Sequence, residues 1–277
     1  MNEYKLSKAE FREEKKKQRL ALFKIANEQL DLVTDNPSSL LDYLKLMALI
    51  GYNPTNSLLV FSVNPKATLV KDYSRWRELG AFPKKATKGI PILEPSKEYT
   101  KRDGTSGVNY NVKHVFDITQ TTYDIESPSL PSIESLIKAI TYKDDIQIEY
   151  LDNTSHLNKS ICFNKSSNTI SIQKGLPNDD IIRGLLREFV LMNAAFLNNE
   201  HFEMSCVLYM LSIKYGIESV NTKFSLECSD YFRYKDSKNK KEILKNIKFV
   251  FDSICKRINN GLYTENYYQE MENNDYA

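Results

Sequence analysis

Apolar residues near the start of the chain recur at helical spacing. Ala21, Leu22, Ile25, Leu30 and Leu32 form a stripe that predicts a helix within residues 1–35. Ser7 followed by Glu10 is a capping-box pair for its start, and Asp35-Asn36-Pro37 is its stop. Leu40, Leu41, Tyr43, Leu44, Leu46 and Met47 predict a second helix that ends at Gly51, and Ser57–Ser62 forms a third short element, helix or strand. Asn64-Pro65 marks a turn, Thr68–Val70 reads as extended, and Asp72–Leu79 as a short helix ended by Gly80. Ile90–Leu93 and Tyr110–Thr119 predict two strands of a hairpin with Lys101–Asn109 at its tip. That hairpin is expected to gather Lys97, Lys101, Arg102 and Lys113.

A second pattern begins after Thr122–Pro131, a Ser- and Pro-containing segment that reads as a linker. Ser132–Thr141 predicts a helix, and Ile146–Leu151, Ser160–Asn164 and Thr169–Gln173 predict short strands. Asn178-Asp179-Asp180 caps a helix expected from Ile181 to about Phe196, and His201–Tyr215 is the next helix, ended by Gly216. Lys241–Ile258 carries Ile243, Ile247, Val250, Phe251, Ile254 and Ile258 at core-packing spacing. Residues 264–277 are acidic and Asn-rich and predict a disordered tail. The fold class expected is α+β in two domains: a helical and β-hairpin domain over 1–124, and a second α+β domain over 132–263.

Composition narrows the chemistry. The 277 residues carry a formal net charge of only +2, so contact with nucleic acid requires local segregation of charge, and a strongly acidic DNA mimic is disfavoured. Cys162, Cys206, Cys228 and Cys255 lack C-x-x-C spacing and read as reduced thiols. Neither a membrane-length apolar run nor a signal-peptide core is evident, which predicts a cytoplasmic protein. Charge does segregate between residues 66 and 88. Lys66, Lys71, Arg75, Arg77, Lys84, Lys85 and Lys88 fall there with only Asp72 and Glu78 as acids, and Tyr73, Trp76 and Phe82 are interleaved. Cations neutralise phosphates and aromatic faces stack unpaired bases, the pairing of types a single-strand binder uses. The same stretch also reads as a solvated face beside a strand. Trp76, the only Trp, fits either a base platform shared with Tyr73 or the core, with the balance slightly towards the core.

The same stretch resembles the N-terminal domain of the ArdC-like antirestriction proteins of conjugative plasmids and other mobile elements. The ordered matches include Asn56 with Leu58–Val60, Pro65 with Ala67 and Thr68, Tyr73 and Trp76, Leu79-Gly80, Lys84, Lys85 and Lys88-Gly89-Ile90, and Val115-Phe116-Asp117 with Gln120-Thr121. The resemblance implies single-stranded DNA binding. The candidate DNA contacts are Asn56, Lys66, Thr68, Lys71, Tyr73, Arg75, Trp76, Arg77, Lys84, Lys85, Lys88, Lys113 and Gln120. Val63 stands where the family has Gln, and Gly80-Ala81 where it has Gly-Arg, which weakens one phosphate contact.

By the same resemblance, the strand–strand–helix–helix order in residues 160–215 implies a zinc-metallopeptidase scaffold. Its motif, H-E-x-x-H, places two His on one helical face with a Glu as general base. Here the place is filled by Arg187-Glu188-Phe189-Val190-Leu191, and Glu203 matches the third ligand on the next helix. Arg187 repels a cation and Leu191 offers no donor atom. The degenerate site Arg187, Glu188, Leu191 and Glu203 implies no catalytic residue, no metal and no cofactor, with Arg187 expected to pair with Glu203. The resulting expectation is a single-stranded-DNA-binding protein of a mobile element or phage. It would act in antirestriction, transfer or replication, with an inactive peptidase-like domain free to bind a protein partner. The rivals are a metallopeptidase with another metal set and a protein–protein adaptor.

Overall fold

The computed structural model describes residues 7–100, 103–124, 130–142, 146–152, 159–198, 200–217 and 230–274. Lys101, Arg102, the linker residues 125–129, His156 and Cys228 lie outside the described residues. The chain divides into two compact units, each a mix of helix and sheet. The first comprises residues 1–126 with 228–241, and the second 127–227 with 242–277.

The first unit begins with three helices, α1 (Lys8–Asp35), α2 (Pro37–Ile50) and α3 (Pro54–Val63). The Ser7–Glu10 capping box forms in both directions: the Glu10 amide donates to Ser7 Oγ, and the Ser7 amide donates to the Glu10 carboxylate. Asn36 and Asn53 cap α2 and α3, each followed by a proline whose missing N–H costs nothing at a helix start. The Ser57–Ser62 segment, left open between helix and strand, is therefore helical. Then follow β1 (Val70–Asp72), the short helix α4 (Tyr73–Glu78) and the hairpin of β2 (Ile90–Thr100) and β3 (Ser106–Asp117). The antiparallel sheet has the order β1-β3-β2. One face buries Val70, Ile90, Ile92 and Val115 against Leu46, Ile50 and Val60 of α2 and α3. Beyond Pro95 the hairpin is solvent-exposed on its β2 side.

The second unit holds α5 (Ile133–Thr141), a three-stranded sheet, and α6 (Asn178–Met192) packed on α7 (Glu200–Tyr215). Its strands are β4 (Gln147–Leu151), β5 (Ile161–Asn164) and β6 (Thr169–Gln173), in the order β4-β6-β5. The β4–β6 pairing is parallel and the β5–β6 pairing antiparallel. Pro177 rather than Asn178 precedes α6, without a side-chain cap, and a short 3-10 turn at Ala194–Phe196 follows it.

The chain's last helix, α8, spans Ser237–Asn274 and departs from expectation at both ends. It continues to Asn274, within the segment expected to be a disordered tail, because no Pro or Gly follows Gly261 to stop a helix that adds one hydrogen bond per residue. It also begins earlier, and residues 228–241 fold with the first unit, so the second unit is not the single run 132–263. Buried Lys240 ties this segment to α1: its Nζ lies 2.9 Å from Asp31 and 3.4 Å from Asp35. No single helix among the described residues is long and apolar enough to cross a membrane.

Candidate nucleic-acid interface

Strand register brings three connections to one end of the first sheet. Val70 at the start of β1 pairs with Asp117 at the end of β3, and Ile90 at the start of β2 pairs with Val115. The loop before β1 carries Lys66 and Thr68, the loop before β2 carries Lys84, Lys85 and Lys88, and the turn after β3 carries Gln120. These six candidates therefore converge at this end.

Buried Asp117 ties the connections together. It accepts from the Thr68 amide at 3.0 Å and from the Thr119 amide at 3.1 Å and hydroxyl at 2.5 Å. Gln120 works in both directions: its Oε1 accepts from the Asp117 amide at 2.9 Å, and its Nε2 donates to the Lys88 carbonyl at 3.1 Å. Lys84 Nζ donates to the Thr119 carbonyl at 3.0 Å. Gln120 and Lys84 thus hold the basic loop in place. Within that loop Ala86 adopts φ 60°, a left-handed conformation that costs a non-glycine residue about 1–2 kcal/mol.

The structure removes three residues from the set of candidate contacts. Asn56 is buried, its Nδ2 donating to the Leu93 carbonyl and its Oδ1 accepting from the Leu93 amide, both at 2.9 Å. The amide takes the place of a neighbouring strand along the edge of β2. Trp76 is 0% exposed, and its indole N–H donates to the Phe116 carbonyl at 2.9 Å, with Tyr123 packed at 5.6 Å. It belongs to the core. Tyr73 is 49% exposed, so the shared aromatic surface does not form. Lys113 does not join the hairpin tip. Its Nζ lies 2.7 Å from Glu94 and 2.9 Å from Asp72, bridging the strands on either side of β3.

This triad has a marked electrostatic signature. The hydrogen bonds to Glu94 and then Asp72 raise the Lys113 pKa above its ordinary value. Burial pushes the Asp72 carboxyl up, but Lys113 and the amides of Arg75 and Ser74 outweigh it, and its pKa is lowered. A cation so neutralised has little attraction left for phosphate.

What remains is a rim of exposed or half-exposed cations. Arg75 pairs with Glu78 at 2.9 Å, an exposed contact. Lys66, Lys71, Arg77, Lys85 and Lys88 join no ion pair among the described residues. Tyr73 at 49% and Phe82 at 47% supply exposed rings beside them. The reach of Glu94 to Lys113 was missed from sequence. Its signal would have been the strand register that sets residues 94 and 113 near each other.

Arg187–Leu191, expected by resemblance to stand in place of a metal motif, lies in the second unit. Glu188 is buried on α6 and accepts from the Phe163 amide of edge strand β5 at 3.2 Å. Glu203 is 0% exposed and accepts from the Asn198 amide at 3.0 Å. Arg187 lies on the exposed side of α6, and among the described residues no ion pair joins it to Glu203. The expected inter-helix tie is thus replaced by two backbone-to-carboxylate bonds. Leu191 is half-buried and His201 exposed. Among the described residues, no group of three His, Cys, Asp or Glu side chains is placed to hold a metal ion. Of the four positions 187, 188, 191 and 203, only Glu188 and Glu203 carry a donor atom suited to a cation.

No protein-family profile matches the chain, and no curated protein matches it in sequence. Solved structures do match. The metal-free crystal structure of the antirestriction protein ArdC from plasmid R388 is 13% identical, with a TM-score of 0.50, covering 86% of this chain and 99% of that one. Its Mn(II)-bound structure, also 13% identical, covers 83% and 97% with a TM-score of 0.48. Over most of its length, the chain has the fold of the antirestriction protein ArdC.

Proposed function

We propose that this chain is an antirestriction protein of a mobile element or phage that binds single-stranded DNA through its first unit. The carrying observation is the set of exposed or half-exposed cations of the first unit that join no ion pair among the described residues, Lys66, Lys85 and Lys88 on the converging loops with Lys71 on β1 and Arg77 on α4, interleaved along the chain with exposed Tyr73 and Phe82. Cations on two of the converging connections, with Lys71 on β1 and Arg77 on α4, match a flexible phosphate chain, and exposed rings stack bases without regard to sequence. The plasmid antirestriction protein that shares the fold supports the biological setting, and the cytoplasm is where incoming DNA meets restriction. The protein binds, protects or helps transfer or replicate incoming strands.

In this reading the second unit is not a peptidase. Glu188, the residue at the general-base position, is occupied by the Phe163 amide, and Arg187 and Leu191 replace the metal donors. The unit serves as a scaffold or as a binding surface for a protein partner.

Electrophoretic shifts with single- and double-stranded oligonucleotides at matched salt test the reading. Tighter binding to the single strand is expected, weakened about tenfold when Lys85 and Lys88 are both changed to Glu, since each removes a phosphate contact and adds repulsion. Equal or tighter duplex binding would sink it.

A further inference from the structure

A cleft of about 370 Å³ lies in the first unit between α2 and the loop that leads into β1. Asp42, Lys45, Leu46 and Leu49 line it from α2 at intervals of three, one and three, so they share one helical face. The facing wall is the loop Pro65–Thr68. Leu46 and Ala67 are buried members of the core, and Leu49 and Pro65 add further apolar lining.

The loop wall is fixed by its backbone. The Lys66 amide donates to Asn64 Oδ1 at 3.2 Å, the Ala67 amide to the Asn64 carbonyl at 3.2 Å, and the Thr68 amide to Asp117 at 3.0 Å. Asp117 is the buried carboxylate that ties the converging connections, so the cleft shares its loop with that end of the sheet. A wall already ordered costs less to bind against.

The polar groups around this lining are available. Asp42, Lys45, Lys66 and Thr68 are exposed, and among the described residues their side chains join no ion pair or hydrogen bond. An apolar slot with polar groups at its edge suits a planar base turned out of a strand, whose Watson–Crick edge is free to be read. The volume stands at the lower end of small-ligand sites and suits one base. The two ammonium groups can meet phosphates as point charges.

The Asp42 carboxylate selects among bases, because when ionised it only accepts, through two oxygens. Guanine presents two adjacent donors on one edge, N1–H and the N2 amino group, and leaves O6 for a hydroxyl such as that of Thr68. Cytosine and adenine set one amino donor beside an acceptor nitrogen, and thymine sets one N–H between two carbonyls. Each of these turns an acceptor towards a carboxylate oxygen.

We infer that this cleft takes one guanine base of a bound single strand, with Asp42 accepting from N1–H and the N2 amino group and Lys45 and Lys66 against the adjoining phosphates. The inference rests on the single-strand reading of the first unit and adds one base-reading position to a contact otherwise tolerant of sequence.

Anisotropy titrations of the full chain with three oligonucleotides at matched salt test it: all thymine, the same strand with one central guanine, and the same with hypoxanthine there. Hypoxanthine keeps N1–H and O6 but lacks the N2 amino group. The guanine strand is expected to bind about tenfold tighter than the all-thymine strand, with the hypoxanthine strand between them. Asp42→Asn preserves shape at an exposed position and is expected to leave the melting temperature unchanged. It should bring the guanine-to-thymine ratio within about twofold of one, because an amide offers a single acceptor and adds a donor. Lys45→Glu should weaken all three strands together by about threefold or more. A parent ratio near one, a guanine preference that survives Asp42→Asn, or hypoxanthine bound as tightly as guanine would each overturn the inference. These readouts are ratios between single strands, whereas the proposed function fails on the comparison of single strand with duplex, so the two fail separately.

Discussion

At the scale of single residues, charge and aromaticity were legible but their direction was not. Helix α4 spans only six residues, too few for a hydrophobic period to say which side faces inward. Trp76 proved to be the inward residue. Trp76→Ala is expected to cost about 3–5 kcal/mol of stability in denaturant melts, because it empties a core site and orphans the Phe116 carbonyl. Lost oligonucleotide affinity with an unchanged midpoint would contradict its burial. Lys113 illustrates a different gap. Its partners come from residues 41 and 19 positions away, 113 minus 72 and 113 minus 94, so only the sheet register reveals them. The triad also fixes a pH window. Asp72 is lowered, so its contribution is full above the ordinary carboxylate value of 3.8 and is lost as pH falls through the lower folded value. Lys113 is raised, so its contribution is full below 10.5 and is lost as pH rises through the higher folded value. Replacing Lys113 with Met should flatten stability at both extremes relative to the parent. Identical pH profiles of the melting temperature would show that the triad does not contribute.

At the scale of elements, the ends were legible wherever a capping chemistry marks them. Ser7 with Glu10, Gly51 and Gly216 each stand where a helix starts or stops, the glycines at φ 75° and 66°. The ends that were misread lack such punctuation, as at the C-terminus of α8. Gly261 within that helix is needed for a different reason. A Cβ there would clash with the Ala139 carbonyl oxygen and sit 2.6 Å from its Cα. Backbone atoms cannot swing aside, so Gly261→Ala must push α8 away from α5. A loss of about 1–3 kcal/mol is expected, larger than any gain in helix propensity. Thermal melts with helix content unchanged but the midpoint raised would refute the close approach.

At the scale of the whole molecule, a near-neutral chain holds a local field. With about four phosphates contacted, the log–log salt slope on single strands should be about −3. A flat response would transfer the affinity to stacking alone. Purified protein should carry well under one zinc per chain by elemental analysis, because the α6 and α7 positions supply two carboxylates already engaged with backbone amides. One zinc per chain, lost on changing Glu188 or Glu203, would restore the peptidase reading. The helix-helix-hairpin order was legible from sequence. The convergence of three loops on Asp117 was not, because it depends on pairing between segments nearly fifty residues apart, 117 minus 70.

The burial of Trp76 also makes it an optical label. The chain has one Trp, and it sits in the first unit. Its fluorescence therefore reports the unfolding of that unit alone, whereas circular dichroism reports helices from both. A non-coincident pair of melting curves would measure how independently the units unfold. Because the indole is sealed from solvent, its emission should be blue-shifted and resistant to iodide, and DNA should leave it nearly unchanged until the unit itself opens.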